Sequence, residues 1–294
     1  MRYNKSFHVL VVLIIFLAMI TSGLGLFYKT DGQPFNTINQ YGDTVRIYGS
    51  GIYKNDSYFM APIFRGTDFT ILFFAVPLLI ISLIIDVKYN TLRTKLFITA
   101  IIALFLYYST SISIGVIYNV LHLVYIALFS CSLFAFITGF SLLRNYSIKS
   151  SVKIYTNWLK IFLILCGLSL ITAWLPDIMV SFINKKSLGL IEVYTTQITY
   201  VLDMAIISPM MFICMHNLSK QSNLGYILLG IILNTLVLVG ILVISQTIFQ
   251  SIAGIEIPID AKITKTGIFV LLALIAIYYE IKLFRNIKGS PNGT

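Results

Sequence analysis

The chain has 294 residues, of which 58% are hydrophobic and only 11% are charged, and its mean hydropathy is +0.90. Soluble domains average about 25% charged residues, so this composition excludes a soluble globular protein and predicts a single membrane-embedded domain over residues 1–294. The net charge of +10 comes with no RNA- or DNA-binding motif. We therefore interpret it as the excess of Lys and Arg that membrane proteins keep in the cytoplasm, and we expect no nucleic-acid partner.

The segment from Leu96 to Leu143 contains 48 residues without Asp, Glu, Lys or Arg. A bilayer span takes about 20 apolar residues, so this segment predicts two spans joined by a tight turn near Gly115–Asn119. The whole chain predicts an all-α, polytopic transmembrane helix bundle of about eight spans. These spans cover residues 8–28, 68–86, 96–115, 119–143, 158–176, 196–216, 225–250 and 266–284. We interpret the first as a retained helix, because its apolar character continues through Tyr28.

The charges in the connections predict the orientation. Thirteen of the 21 Lys and Arg residues fall in connections that we assign to the cytoplasm, whereas seven of the 11 acidic residues fall in outer loops or at outer helix ends. We therefore expect the N-terminus and the C-terminus in the cytoplasm. The expected location is a cell membrane, specifically a bacterial cytoplasmic membrane.

The outer connection between the first two spans, residues 29–66, is the longest loop. Residues 44–48 and 52–54 flank Gly49-Ser50-Gly51 and predict a hairpin. The loop is rich in Tyr and Phe. Two interpretations stay open: an interfacial cap whose rings lie at the depth of the lipid headgroups, or a lid over a binding site.

The second and sixth predicted spans share a sequence feature. Asp68 is followed by Pro77, and Asp203 is followed by Pro209. Transporter folds often contain internal repeats, but the spacing differs between the two pairs and the flanking residues do not match. The sequence therefore indicates only a weak repeat. Each proline predicts a kink, because proline removes a backbone hydrogen bond.

Polar side chains concentrate in the outer halves of the spans, and each is costly in lipid unless it is hydrogen-bonded. Asp203 is the costliest of them, and the inner halves are almost entirely apolar. This asymmetry predicts a water-accessible pocket that is open to the outside and sealed below by hydrocarbon side chains. The candidate binding residues are Asp203, Tyr200, Thr199, Tyr107, Ser111, Asn119, His122, Gln246, Gln250 and Asp68. For His122 an interfacial hydrogen-bonding anchor is the alternative.

No catalytic or cofactor motif accompanies these residues. The chain has no HExxH zinc helix, P-loop or CxxC pair, and its three His residues lie at different predicted depths. We therefore expect no metal and no cofactor, and catalytic residues remain unassigned.

Several sequence segments resemble those of a group of bacterial multi-pass integral membrane proteins to which no activity has been assigned. They are residues 68–70 through 77–79, residues 115–119 leading into 124–130, residues 200–203 and residues 246–250. The resemblance implies the topology of the chain. It implies nothing about function.

Three functions are consistent with these observations. The first is binding or transport of a small polar solute or cation, with Asp203 as the counter-charge. The second is an outer-leaflet membrane enzyme that acts on a lipid-linked substrate, with Asp203 or Asp68 as the base. The third is a non-catalytic membrane subunit or sensor. The expected partners are the lipid bilayer, a small polar solute, and a membrane-protein partner or a second copy of the chain.

Overall fold

The computed structural model describes residues 5–256, 259 and 266–291. In this part the chain forms eight long helices and two pairs of short strands. The helices are α1 (Lys5–Phe27), α2 (Met60–Tyr89), α3 (Leu92–Gly115), α4 (His122–Arg144), α5 (Asn157–Asn184), α6 (Ile198–Ser219), α7 (Asn223–Ile252) and α8 (Ile268–Asn286). The strands are β1 (Phe35–Ile38), β2 (Thr44–Ile47), β3 (Tyr146–Ser150) and β4 (Ile287–Pro291).

Seven of these helices, α1 to α7, are long and apolar enough to cross a membrane. The longest of them have 30 residues and extend about 45 Å. The chain is therefore a membrane-embedded, multi-pass helical protein, as its composition predicts. Helix α8 coincides with the eighth predicted span, but it carries Glu280, Lys282 and Arg285 in its C-terminal half. Its crossing of the membrane remains a prediction.

The connections between helices gather at two ends of the bundle. The loop end comprises residues 28–59, 116–121 and 185–197, and the strand end comprises residues 90–91, 145–156, 220–222 and 287–291. At the loop end, the backbone N–H of Ile117 donates to Asp56 Oδ1 at 3.0 Å. At the strand end, Arg93 Nε donates to the carbonyl of Ile287 at 3.0 Å, and β3 pairs with β4.

The hairpin in the long loop differs from its prediction. Residues 44–47 do form a strand, but β2 pairs antiparallel with β1, so it is the second strand of the hairpin and not the first. The turn forms at residues 39–43, because Asn39 Oδ1 accepts from the backbone N–H groups of Tyr41 and Asp43. The Gly49–Gly51 segment instead lies against the end of α1, where the Ser50 hydroxyl donates to the Thr30 carbonyl at 2.8 Å.

A π-helical turn precedes Pro77 and Pro209, the two prolines for which the sequence predicts a kink. It covers Ile71–Ala75 before Pro77, and Asp203–Ile207 before Pro209. In both, a backbone N–H bonds to the carbonyl five residues back, so the turn is wider than an α-turn. Since proline lacks an N–H, the wider turn is the local adjustment that lets each helix continue past it.

The order of elements shows that the repeat is structural. A helix, a loop-end connection, a helix with a π-turn and a proline, two further helices and a strand occur in α1 to β3 and again in α5 to β4. In both units the helix with the π-turn is followed by a left-handed residue, Asn90 (φ 44°) or Gln221 (φ 52°). The next helix is then N-capped by a hydroxyl, from Thr91 or Ser222.

The strands β3 and β4, which end the two units, pair with each other and follow the same dipeptide. Arg144-Asn145 precedes β3, and Arg285-Asn286 precedes β4. The antiparallel register is centred on the pair Ile148–Gly289. Each strand is also held by the other unit, because Asn223 of α7 bonds to β3 and Arg93 of α3 bonds to the start of β4. The same order of elements therefore occurs twice along the chain, in two four-helix units whose final strands pair with each other.

Candidate functional site

Asp203 is buried, and both oxygens of its carboxyl group are occupied. Tyr107 Oη donates to Oδ1 at 3.1 Å, and Trp174 Nε1 donates to Oδ2 at 2.9 Å. The Trp174 ring stacks on Tyr200 with centroids 4.6 Å apart, and Tyr200 Oη donates to Asp177 Oδ2 at 3.0 Å. Asp203 therefore joins α3, α5 and α6 through neutral donors.

We call the group formed by Asp203, Tyr107, Trp174, Tyr200 and Asp177 the Asp203 cluster. Besides Asp203, it contains two of the predicted site residues, Tyr107 and Tyr200. Thr199 is a further hydrogen-bonding partner of the Tyr107 hydroxyl. Ser111 donates back to the Tyr107 carbonyl on the same helix, at 2.9 Å, and so satisfies itself without a ligand.

Asp68 forms a separate cluster. Its carboxyl group is fully buried and accepts from Tyr53 Oη at 2.5 Å and from Tyr108 Oη at 2.7 Å. A Cβ atom on Gly25 of α1 would lie 1.9 Å from Asp68 Oδ2, so only glycine leaves room for this carboxyl. The structure thus places Asp68 inside α2 and not at the end of a span, because α2 begins at Met60.

Gln246 and Gln250 hold α7 against α2. Gln246 Nε2 donates to Thr67 Oγ1 at 2.8 Å, and Gln250 Nε2 donates to the Phe59 carbonyl at 3.4 Å. A Cβ on Gly66 would lie 2.6 Å from the Gln246 Cα, so the two backbones approach closely here. These contacts are those of a helix–helix interface.

Asn119 and His122 lie at the turn between α3 and α4. Asn119 Oδ1 accepts from the Leu121 N–H at 2.9 Å, which orders the turn before α4. The His122 ring lies 5.4 Å from the exposed Tyr118 ring. The ten predicted residues are therefore distributed over four places in the bundle, and Asp68, Asp203 and His122 have different hydrogen-bonding and ring partners. This arrangement offers no shared acid–base pair for the enzyme hypothesis.

A polar cavity of about 270 Å³ opens at the loop end, beside the Asp68 cluster. It lies between the end of α1, the segment from Tyr48 to Tyr53, and Arg65 of α2. Its lining residues are Gly25, Tyr28, Lys29, Tyr48, Ser50, Gly51, Ile52, Tyr53 and Arg65. None of the ten predicted residues lines this cavity, but Asp68 is directly behind two of its walls, Gly25 and Tyr53.

Arg65 is the half-buried cation of this cavity. Nη1 donates to Tyr48 Oη at 2.9 Å, and Nη2 donates to the Leu26 carbonyl at 3.2 Å. The guanidinium also lies over the Phe249 ring, 5.7 Å from its centroid. Among the described residues, the ion pairs Lys95–Asp86 and His8–Asp86 do not include Arg65. Sequence reasoning assigned Arg65 to the outer loop and missed it, since only the fold brings it beside α1.

The loops at this end of the bundle are hydrogen-bonded to one another. Asn39 Nδ2 donates to the Glu192 carbonyl at 2.7 Å, and the Ser57 hydroxyl donates to the Glu192 carboxylate. Tyr194 Oη donates to Asp56 Oδ1 at 3.0 Å. Burial raises the pKa of Asp56 to about 7, against the lowering effect of the Ile117 N–H and of Tyr194. Burial also raises the pKa of Glu192, and its bond from Ser57 opposes that shift.

A buried charged cluster at the strand end was not predicted. Asp86 of α2 accepts from Lys95 Nζ, lies 2.8 Å from His8 Nε2, and accepts from Thr94 Oγ1 at 2.7 Å. All three ionisable side chains are buried. Lys95, which was counted among the thirteen Lys and Arg residues assigned to the cytoplasm, is therefore buried, and the strand end is not sealed by apolar side chains alone. The available signal was an Asp that closes an apolar span shortly before a Lys, with a short turn between them.

Within residues 5–256, 259 and 266–291, no three His, Cys, Asp or Glu side chains come close enough to hold a metal ion. The expectation of no cofactor remains a prediction. Comparisons with protein families, curated proteins and solved structures returned no match for this chain. The resemblance to a bacterial membrane-protein group therefore also remains a prediction, and function has to be argued from the geometry.

Proposed function

We propose that this membrane protein binds a small polar solute in the cavity beside Arg65, with the long first loop as its outer wall. The observation that carries the proposal is a polar cavity of about 270 Å³ at the loop end, lined by three tyrosines and by Arg65, whose guanidinium bonds to the Tyr48 hydroxyl. Ligand sites are concave and contain a few convergent polar groups. This volume suits a small metabolite rather than a lipid.

The charge distribution supports an outward orientation of this cavity. Of the Lys and Arg residues that the structure describes, twelve lie at the strand end or on the helix turns next to it, and six lie at the loop end, which also carries Asp31, Asp43, Asp56 and Glu192. Membrane proteins keep excess Lys and Arg on the cytoplasmic side, so the cavity faces outward in this proposal.

Binding from outside is supported more strongly than passage through the bundle. Next to the Asp68 cluster, the interior of the first unit is filled by fully buried apolar side chains, among them Ile14, Ile71, Ile101 and Phe105. Transport would require these helices to move apart, and the π-turns before Pro77 and Pro209 are the places where α2 and α6 depart from α-helical geometry.

A thermal-stability screen of the purified protein tests the proposal. A ligand that binds only the folded state raises Tm by mass action. The panel contains small carboxylates, inorganic phosphate, amino acids, sugars and amines, each tested against wild type, Arg65→Gln and Asp203→Asn. We expect at least one class to raise Tm in wild type and in Asp203→Asn, but not in Arg65→Gln. A response that survives Arg65→Gln and disappears in Asp203→Asn would return the site to Asp203, and no response to any class would refute the proposal.

A further inference from the structure

We propose that the solute in this cavity is an anion with a carboxylate, phosphate or sulfate group, and that it binds together with one proton taken up by Asp68. This inference rests on the proposed function and names the substrate class of the same site. It goes beyond the expectation of a polar solute or cation, because it assigns the charge of the ligand and couples its binding to a buried acid.

The charge of the residues that line the cavity favours an anionic ligand. Arg65 and Lys29 line the cavity, and no Asp or Glu is among its lining residues. Arg65 is held by two neutral acceptors, the Tyr48 hydroxyl and the Leu26 carbonyl. A guanidinium has five N–H donors in a planar fork that matches carboxylate and phosphate oxygens. Two of its nitrogens are engaged with these acceptors, and further donors remain for a ligand.

The position of Asp68 supplies the coupling. It lies one helical turn from Arg65 on α2, and it contacts the cavity wall through Gly25 and Tyr53. Where the pH is high enough to ionise Asp68, its charge balances that of Arg65 while the cavity holds no anion. When an anion binds, two negative charges then face one guanidinium in a desolvated region, where repulsion is strong. Protonation of Asp68 removes this repulsion.

The groups that face Asp68 leave protonation as the way in which the negative charge of its carboxylate is removed. Tyr53 from the loop and Tyr108 from α3 bond to its carboxyl group, and Tyr125 from α4 and Arg65 from its own helix act on it through space. From α1 it meets Gly25, and the Thr21 hydroxyl adjoins Tyr108. Among these groups only Arg65 is a cation.

The hydrogen bonds of Asp68 are compatible with both protonation states. A tyrosine hydroxyl can donate to a carboxylate or accept from a carboxylic acid, so Tyr53 and Tyr108 can remain partners after protonation. Tyr53 also provides a route, since it is a lining residue of the cavity and its hydroxyl lies 2.5 Å from Asp68 Oδ2. The step forms one O–H bond on Asp68, and its proton comes from solvent through the cavity.

The test uses sulfate and acetate, whose charge is constant between pH 6 and 8.5, and isothermal titration of the whole protein at several pH values. In wild type we expect the apparent Kd to rise by up to about tenfold per pH unit toward alkaline pH. In Asp68→Asn, which mimics the protonated acid, we expect pH-independent binding as tight as that of wild type at pH 6. Asp203→Asn is the matched control and should keep the slope of wild type.

A second measurement covers the case in which Asp68→Asn does not fold. Titration of wild type at alkaline pH, where Asp68 is ionised before binding, in two buffers with different heats of ionisation counts the protons taken up, and we expect up to one per bound anion. Binding without proton uptake would overturn the coupling. If amines or sugars bind in the cavity while anions do not, this inference fails and the proposed function stands; if no solute binds, the proposed function itself fails.

Discussion

Tyr107 and Tyr108 are consecutive residues on α3, and their hydroxyls donate to two different buried carboxyl groups. Tyr107 bonds to Asp203 at 3.1 Å, and Tyr108 bonds to Asp68 at 2.7 Å. Asp68 belongs to the first four-helix unit and Asp203 to the second. One helix therefore contacts the buried acids of both units, while each acid keeps its own set of other partners and can be tested separately.

The Asp203 cluster should depend on one indole N–H. Trp174→Phe keeps an aromatic ring beside Tyr200 but removes the donor to Asp203 Oδ2. A buried acceptor without its partner costs about 1–3 kcal/mol, so we expect the unfolding free energy to fall by that amount. Trp158 is exposed and serves as the control, with an expected change for Trp158→Phe within about 0.5 kcal/mol. Thermal unfolding followed by circular dichroism measures both, and equal effects would contradict this role of Trp174.

Gly25 should tolerate no side chain. In Gly25→Ala the new methyl group would overlap with Asp68 and crowd the Tyr53 hydroxyl, so we expect a loss of about 1–3 kcal/mol or failure to fold. Gly23→Ala is the matched control on the same helix, because a Cβ there meets no atom within 4 Å. Alanine should be neutral or stabilising at that position. The yield and Tm of the two detergent-solubilised variants test the prediction, which fails if Gly25→Ala is as stable as Gly23→Ala.

The strand-end cluster should be sensitive to removal of one partner. Lys95→Met leaves Asp86 buried without its ammonium partner, and such a change costs about 3–5 kcal/mol. Adding Asp86→Asn to Lys95→Met removes the uncompensated charge, so we expect the double variant to regain most of that stability. Lys88→Met, at an exposed position on the same end of α2, should change little. Denaturant unfolding in detergent compares the three; a double variant no more stable than Lys95→Met would show that charge is not the cause.

The folded protein should lose stability as pH rises, because Asp56 at the loop end ionises. The folded-state pKa of Asp56, about 7, exceeds its ordinary value of 3.8, so the folded protein binds the extra proton between these values. The stabilisation is complete below about pH 4 and is lost as pH rises through about 7. At about 1.4 kcal/mol per pKa unit, the loss is at most about 4 kcal/mol. Asp56→Asn keeps an acceptor for Ile117 and Tyr194 but cannot ionise.

Tm measured between pH 4 and pH 8 tests this linkage. We expect wild type to lose thermal stability over that range relative to Asp56→Asn, with the difference levelling off above about pH 7. Parallel curves for the two proteins would exclude Asp56 as the titrating group.

The amino-acid pattern was sufficient for the helices but not for the contacts between them. Runs such as Leu96–Leu143 predict where the apolar helices lie, because a bilayer demands about 20 apolar residues per crossing, but the crossing of the eighth helix remains a prediction. The sequence also identified Asp203 with Tyr107, Tyr200 and Thr199, since intramembrane polar groups must find partners. It did not reveal Trp174, because an indole N–H in an apolar helix carries no polar signal in the sequence.

Other contacts were hidden for different physical reasons. The side chains of Asp86 and Lys95 lie at span ends, where solvated charges are the rule, so their burial depends on the packing of three helices. The cavity beside Arg65 forms only when the Gly49–Gly51 segment folds back onto α1, and no periodicity records that long-range contact. The repeat was weak in sequence because it is carried by π-turns, left-handed residues and caps, for which several residue types suffice.

The most direct test of the account is the charge selectivity of the cavity at a cysteine placed in its wall. In a variant lacking Cys131, Cys166 and Cys214, Ser50→Cys is exposed from outside to anionic sulfonatoethyl methanethiosulfonate or to its cationic trimethylammonium analogue. Thr37→Cys in β1 provides the reference for an exposed loop position. We predict faster reaction with the anionic reagent at Ser50→Cys than at the reference, and loss of this preference with Arg65→Gln. Equal selectivity at the two positions, or preference for the cationic reagent, would contradict a positively charged, anion-binding site beside Arg65.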